Sequence, residues 1–559
     1  MFMKQISSQR LFGTPKISAW LTLAITCWLV PQAAAHDTGA AHPHPAANSQ
    51  TGNSQTARGV VYHDRNGNRQ QDQGEPGVVD VKISNGLDIV QSDAEGKYEL
   101  GVSDDAIIFV IKPRGWTSPL NASLLPQFYY IHKPQGSPAN FKYAGVAPTG
   151  PLPKSIDFPL TKQVEPEKFK ALMFGDPQPR NLTEVEYIAH DVIEQIIAAE
   201  GHGAAFGVTL GDIAFDNLDT LEPLSQAIAL IGIPWYNVIG NHDINYEAAN
   251  DALSDETFER LYGPSYYSFD YGATHFLVLD DVTWVAAQDG QKAHYHGGFG
   301  ERQMQFIRND LERIPEDQLV VLMMHIPLDG VQDRQELYRL IEQRPATVSL
   351  SAHTHYMEHR LIGQQDGWQG AEPHHHIVNV TVCGSWFRGQ PDERGIPHAT
   401  MSDGGPNGYS IMEFDGAKYS IEFRAASRPA DYQMNIYAPE VVATPELAAT
   451  VVLANVFAAS ETAKVSMRVG VNDWSPMQRI TVADPNYLAE KSREDALAGH
   501  PWTELPAAHK TPHMYRGMLP TNLAPGTHKI EVRAVASDGR EVLGGRVLRV
   551  DPPTAEIQK

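Results

Sequence analysis

Ile233-Pro234-Trp235-Tyr236-Asn237-Val238-Ile239 is an apolar, strand-like run that empties into the polar cluster Gly240-Asn241-His242-Asp243. The same figure recurs four times. Ala171-Leu172-Met173-Phe174 leads into Gly175-Asp176-Pro177-Gln178, and Ala205-Phe206-Gly207-Val208-Thr209-Leu210 into Gly211-Asp212. Leu319-Val320-Val321-Leu322-Met323-Met324 leads into His325, and Thr347-Val348-Ser349-Leu350 into Ala352-His353-Thr354-His355. Between these runs lie helical stretches, so residues 165–425 read as an α/β layered domain. One helix shows its period: Thr183-x-x-Glu186 has the form of a capping box, and Val185, Ile188, Val192 and Ile196 follow at helical spacing.

Open α/β sheets gather their sites at the carboxyl ends of strands, so five such ends can converge. Converged, they offer two Asp, one Asn, one Gln and three His. Seven N and O donors, with a carboxylate free to bridge, suffice for two divalent cations side by side. A single Gly-Asp or strand-end His is ordinarily a turn or an interior side chain; five in order are not readily a coincidence.

The flanks read as all-β. Residues 58–162 alternate short apolar runs such as Gly59-Val60-Val61-Tyr62 and Ile107-Ile108-Phe109-Val110-Ile111 with turn-rich segments, the pattern of a small sandwich. Within it Asp64, Asn66, Asn68, Gln70, Asp72 and Glu75 occupy positions 1, 3, 5, 7, 9 and 12 of a loop, the spacing of oxygen ligands around Ca²⁺. Arg69 stands at position six where a helix-loop-helix calcium loop wants Gly. The stretch resembles the calcium-binding repeat domains of bacterial surface proteins, and a structural Ca²⁺ and a plain polar hairpin both remain open. Residues 430–559 return to short strands, among them Lys464–Val469 and His528–Arg533, and suggest a second sandwich.

At the N-terminus, Lys4, Arg10 and Lys16 precede an apolar stretch from Ile17 to Val30, then Pro31 and Ala33-Ala34-Ala35. Residues 1–35 read as a secretory signal peptide, too short in its apolar part for a membrane span, and 36–57 as a disordered linker. Export to a periplasm or the exterior is expected, with no integral membrane segment after cleavage. Cys383 would then be the sole cysteine, so no intrachain disulfide is expected. The 559 residues carry 44 Lys and Arg against 67 Asp and Glu, a net charge of −23. Such a field repels nucleic acid and anionic membranes, leaving small molecules and cations as partners.

Taken together, Asp176-x-Gln178, Gly211-Asp212, Gly240-Asn241-His242-Asp243, Met324-His325 and Ala352-His353-Thr354-His355 resemble the ordered motifs of the calcineurin-like metallophosphoesterases. With a β domain on either side, the chain resembles an exported bacterial branch of that superfamily. The resemblance implies a central β-sandwich flanked by helices (αββα). It further implies Asp176, Gln178 and His355 on one metal, Asn241, His325 and His353 on the other, and Asp212 as the bridge. Two ions about 3.5 to 4 Å apart would clamp a phosphoryl group and generate the hydroxide that attacks phosphorus. His242 would stabilise the transition state or protonate the leaving oxygen, with Asp243 orienting it.

Two positions depart from the family's usual pattern. Gln178 stands where His is commoner, which favours Mn²⁺, Fe or Mg²⁺ over Zn²⁺ at that site. Phe215 stands where purple acid phosphatases carry an iron-ligating Tyr, so a tyrosinate-ligated centre is not expected. Beyond His355, the segments His374-His375-His376, Gly384–Gly389 and Thr400–Tyr409 have the composition of pocket-lining loops. Arg180 and Arg388 are candidate phosphate contacts, and Asp216 and Asn217 lie close enough to Asp212 to face the same cleft. The expected substrate is a small or envelope-linked phosphoric ester, monoester or diester; oligomeric state is not legible. The competing reading is a non-catalytic envelope-binding protein with a vestigial metal site.

Overall fold

Alternation along Lys168–Phe174 organises the central domain. Phe169, Ala171 and Met173 point into one core and Leu172 and Phe174 into another, all buried, because this strand is covered on both faces. The computed structural model describes residues 55–199, 202–288 and 290–553. The expected signal peptide, and the expected linker up to residue 54, lie outside them. The linker's last three expected residues, 55–57, instead open a strand, Gln55–His63, in which Ala57 is buried and Gln55 pairs with Val102.

In chain order the central strands are β1 (Lys168–Phe174), β2 (Ala204–Leu210), β3 (Trp235–Val238), β4 (Tyr267–Tyr271), β5 (Thr274–Val278), β6 (Leu319–Met323), β7 (Thr347–Ser351), β8 (Glu358–Ile362), β9 (His374–Val378), β10 (Gly408–Asp415) and β11 (Lys418–Ala425). They form two mixed sheets. One has the order β3-β2-β1-β10-β11, with β1 to β3 parallel; the other has the order β4-β5-β6-β7-β9-β8, with β5, β6, β7 and β9 parallel. Phe169, Phe206, Val208 and Phe414 of the first sheet share an aromatic-rich core with Phe269, Phe276, Val321 and Val348 of the second. On the far side of the first sheet, Leu172, Phe174 and Trp235 pack against helical Val185, Ile188, Leu221 and Leu224. The helices Gly300–Leu311 and Arg334–Ile341 bury Met304, Ile307, Leu337 and Ile341 with the second sheet, and the expected αββα sandwich is observed.

The first helix begins earlier than its sequence suggests. Asn181 is the N-cap, in an extended conformation, and its side chain accepts the amide of Glu184; Thr183 lies inside the helix. A π-helical turn, Ala189–Ile193, follows Leu182–Ile188, yet Val185, Ile188, Val192 and Ile196 all stay buried. The His374–His376 segment is no surface loop. It is strand β9 inside the second sheet, where Ser349 Oγ lies 2.8 Å from His374 Nε2 and 2.7 Å from His376 Nδ1.

The N-terminal region forms two four-stranded sheets around its own core, and the C-terminal region pairs a four-stranded with a five-stranded sheet. The C-terminal region is not purely β: Pro485–Asp495 is a helix, capped by Asp484, whose carboxylate accepts the amides of Asn486 and Tyr487. Among the described residues no helix is long and apolar enough to cross a membrane.

Candidate metal centre

Parallel strands in register deliver their ends together. Phe174, Leu210 and Val238 end β1, β2 and β3, with Thr209 opposite Phe174 and Leu210 opposite Val238. Asp176, Asp212 and Asn241 follow those ends within three residues. On the facing sheet, His325 and His353 each lie two residues past β6 and β7. Gly211 and Gly240 permit the approach. A Cβ at Gly211 would fall 2.5 Å from His325 Nδ1, and one at Gly240 would fall 2.0 Å from the Asp212 amide nitrogen. Asp176, Gln178, Asp212, His353 and His355 all adopt positive φ, a conformation that costs each non-glycine residue about 1–3 kcal/mol and persists only where the surroundings impose it.

The seven expected ligand residues come together. His325 Nε2 lies 3.2 Å from Asp212 Oδ1, 3.2 Å from Asn241 Oδ1 and 3.1 Å from His353 Nδ1. Gln178 Nε2 donates to Asp212 Oδ2 at 2.7 Å, and His355 Nε2 lies 3.6 Å from Asp176 Oδ1. Donor atoms of Asp212, His325 and His353 lie within 4.8 Å of one another, the single grouping of at least three His, Cys, Asp or Glu donors found among the described residues. Asp176, Gln178, Asp212, Asn241, His325 and His355 are all buried.

Burial disfavours the charged imidazole, and so holds His353 down to about 3 and His355 down to about 4. Both rings are thus neutral and keep a lone pair for a cation. Backbone carbonyls aim two of the three rings: His355 Nδ1 lies 2.6 Å from the Gly384 carbonyl and His325 Nδ1 2.9 Å from the Leu210 carbonyl. At His325 the effect of burial is outweighed by the Asp212 carboxylate, which raises its pKa to about 10. Burial pushes the Asp176 carboxyl up, and its Oδ1 makes no hydrogen bond although it is inaccessible. Asp212 is held down, because His325 and His242 outweigh the effect of burial.

His242 stands at the rim, its backbone amide donating to Asp212 Oδ1 at 2.9 Å. Its Nδ1 lies 2.6 Å from Asp216 Oδ1, and the Phe215 ring stacks on the imidazole at 4.4 Å. Asp243 has a different task from the orienting one expected of it. Its buried carboxylate accepts the amides of Ile213, Ala214 and Gly240, tying the second and third strand ends together, and makes no hydrogen bond to the His242 ring.

Of the other candidates, Arg180 is committed to Glu184 and to the Trp386 carbonyl, and Asn217 donates to the Arg180 carbonyl. Arg388 is different: its guanidinium has no carboxylate partner and no side-chain hydrogen bond among the described residues, and it lies 5.2 Å from the Trp386 ring. The Trp386 ring in turn lies 3.9 Å from the His355 ring, tilted 31° to it. In the N-terminal loop, Asp64 accepts the amides of Gly67 and Arg69, and Asp72 accepts the side-chain amides of Asn66 and Asn68. Glu75 accepts the amides of Arg65 and Asp72, and the Gln70 amide donates to Asn68. The loop's three carboxylates do not gather as tightly as the central cluster does.

Several contributors escaped the sequence reading. Asp281 accepts the amides of His325 and Ile326 and fixes that strand end. Tyr246 donates its hydroxyl toward Asp216 and the Asn241 carbonyl, and packs against Trp284. The N-terminal region also reaches this rim, where the Tyr143 hydroxyl donates to the Asp216 carbonyl at 3.0 Å. Cys383 is buried 3.8 Å from Gln178 Oε1, and burial pushes its thiol well up, so it stays protonated.

Three family models match the chain in sequence order: the N-terminal domain of calcineurin-like phosphoesterases over residues 64–146, the calcineurin-like phosphoesterase domain over 169–357, and the C-terminal domain of calcineurin-like phosphoesterases over 376–541. Among solved structures, a purple acid phosphatase from yellow lupin (Lupinus luteus) seeds is similar at 12% identity, over 62% of this chain and 67% of that one, with a TM-score of 0.33. No curated protein matches the chain. With all three domains matched in order and the strand-end motifs assembled at one place, the chain belongs to the calcineurin-like phosphoesterases, metal-dependent hydrolases of phosphoric esters.

Proposed function

We propose that this chain is an exported, dinuclear phosphoesterase of a bacterial envelope, acting on a small or envelope-linked phosphoric ester. The observation that carries this reading is the convergence of Asp176, Gln178, Asp212, Asn241, His325, His353 and His355 from five strand ends into one cluster, buried except for the half-buried His353. The cluster fits two cations. Asp176 Oδ1 is buried without a partner, two imidazoles are held neutral, and Asp212 already lies between Gln178 and His325 as a bridge would. Asp176, Gln178 and His355 would hold one ion, Asn241, His325 and His353 the other, with Asp212 shared. The Gln178 amide would present its oxygen to the ion. That hard oxygen donor favours Mn²⁺, Fe or Mg²⁺ over Zn²⁺. When bound, the ions supply Lewis acidity to the phosphoryl oxygens and to the attacking water.

The chain's own groups supply the rest. His242 Nδ1 is occupied by Asp216, which leaves Nε2 to meet the leaving oxygen. Burial lowers the affinity of His242 for a proton, but Asp216 and Asp212 outweigh it and hold the imidazole above its ordinary range, as a proton donor requires. Arg388, free of carboxylates in so acidic a chain, would take an anionic oxygen of the substrate; its lack of a carboxylate partner supports this role, whereas Arg180 is paired with Glu184.

The test is hydrolysis of an aryl phosphate monoester and the matching diester after chelation and Mn²⁺ readdition. Mn²⁺-restored turnover of either supports the reading, and their ratio assigns the substrate class. No turnover of either would favour the non-catalytic envelope-binding alternative.

A further inference from the structure

His353 and His355 sit in a strained turn, held directly by Asp176 and the Gly384 carbonyl and linked through Met357 and Asp403 to the C-terminal sandwich. Two residues past His355, the buried Met357 donates its amide to Asp403 Oδ2 at 3.1 Å. Asp403 is itself buried, and its Oδ1 accepts the amide of Gly405 at 2.8 Å. Its other partners belong to the C-terminal region. Nε2 of His513, in strand Lys510–Met518, lies 3.3 Å from Asp403 Oδ2. Asn455, in strand Val451–Val456, donates from Nδ2 to the Asp403 carbonyl at 2.9 Å.

The network is closed behind these residues. Asn455 Oδ1 lies 2.7 Å from His513 Nδ1, and Asn455 Nδ2 also donates to Asp484 Oδ2 at 2.8 Å. Asp484 accepts the Tyr437 hydroxyl and caps the Pro485–Asp495 helix. Asp403, Asn455, Asp484 and His513 are each at most 1% exposed. A polar cluster so dry is stable only if each member is satisfied, and it then fixes one geometry. Three further contacts run in parallel: the Tyr356 and His509 rings stack at 4.3 Å, the His509 amide donates to the Ser402 carbonyl, and Gly404 approaches Asp484 so closely that a Cβ there would lie 2.3 Å from Asp484 Cβ.

We infer that the C-terminal sandwich is a working part of the metal centre, with His513 and Asn455 as positioning residues that hold Asp403, and through the Met357 amide set the turn carrying His353 and His355. The inference rests on the proposed function, since it takes those two histidines as ligands. Groups hydrogen-bonded directly to metal ligands characteristically change metal affinity 10- to 100-fold, and the Asp403 network acts one step behind such groups.

The experiment is calorimetric titration of Mn²⁺ into the chelator-treated full chain, alongside the Mn²⁺ requirement of turnover. Asp403→Asn and His513→Leu should raise the Mn²⁺ dissociation constant at least about 10-fold, while KM measured at saturating Mn²⁺ stays within about twofold of wild type. His513→Gln, which can still donate from its amide, should recover most of the loss. Met467→Ala opens the C-terminal core away from the network and serves as the stability control; it should lower the melting temperature and leave Mn²⁺ affinity unchanged. Should His513→Leu fail to fold, Asn455→Asp and His513→Gln carry the comparison. Mn²⁺ affinities equal to wild type in folded Asp403→Asn, His513→Leu and Asn455→Asp, or an equal loss in Met467→Ala, would overturn the inference. Asn241→Ala separates the two claims: if it binds Mn²⁺ and turns over normally, the ligand assignment itself has failed.

Discussion

Asp216 Oδ1 lies 2.6 Å from His242 Nδ1, so the carboxylate that orients the rim histidine comes from the loop after β2 and not from the adjacent Asp243. The exchange follows from burial. Asp243 is wholly enclosed and consumed by three backbone amides, whereas Asp216 is exposed and free to turn toward the imidazole.

Asp216→Asn should therefore lower kcat about 100-fold with little change in KM, since the ring loses its orientation and charge partner but the substrate contacts remain. Steady-state kinetics with an aryl phosphate checks this. A kcat within twofold of wild type would remove Asp216 from the mechanism. Asp243→Asn should instead lower the melting temperature, because a buried carboxylate tying two strand ends is replaced by a group that cannot accept as many amides.

Arg388 and Arg180 should separate. Arg388→Gln is expected to raise KM about 10- to 100-fold with stability unchanged, the loss of a charge-assisted contact to an anion. Arg180→Gln breaks contacts to Glu184 and to the Trp386 carbonyl, and should chiefly cost stability. Equal KM effects in the two variants would contradict the assignment.

Away from the site, His275 is enclosed between Asp270 Oδ1 at 2.8 Å and Asp310 Oδ2 at 2.9 Å. Burial alone would lower its pKa, but the two carboxylates outweigh burial and push it up to about 9. Asp310 is held below its ordinary value by the same pairing, against the effect of its burial. A raised histidine contributes fully below its unfolded value of 6.5 and loses that contribution as pH rises through 9. The depressed Asp310 contributes above its ordinary 3.8 and loses it as pH falls through its folded value. The stability gap between wild type and His275→Gln should thus be widest from about pH 4 to 6.5 and shrink by roughly 3 kcal/mol toward pH 9. Denaturant melts across that range give the gap directly, and a constant gap would contradict the pairing.

In the N-terminal loop, Asp64 is buried and caps the Gly67 and Arg69 amides with its two oxygens. Asp64→Ala should cost about 1–3 kcal/mol even in chelator, the price of two amides left unpaired. We propose that Ca²⁺ adds to this, raising the melting temperature of wild type but not of Asp64→Ala. The same melting temperature with and without Ca²⁺ would make the loop a hydrogen-bonded turn alone.

What could be read from the sequence was whatever is written locally. A strand followed by Gly-Asp, Gly-Asn-His-Asp or Ala-His-x-His announces itself, and parallel register does the rest; hence Asp176, Asp212, Asn241, His325 and His353 were legible together. The start of the first helix is ambiguous in sequence, because Asn181 and Thr183 are both good caps and only the chain's path selects Asn181. His374-His375-His376 has the polarity of a loop, and its place inside a sheet depends on Ser349 from a neighbouring strand. Asp216 on His242, Asp281 on His325 and Asp403 under Met357 are relations through space between distant segments, and no spacing rule encodes them.

The most direct measurement is the metal content of the purified chain and of Asn241→Ala after equilibration with Mn²⁺, read alongside turnover of an aryl phosphate. Two Mn²⁺ per wild-type chain, with the variant folded, holding fewer ions and inactive, is the expected result. Full metal content and full turnover in Asn241→Ala would show that the catalytic centre lies elsewhere than at these five strand ends.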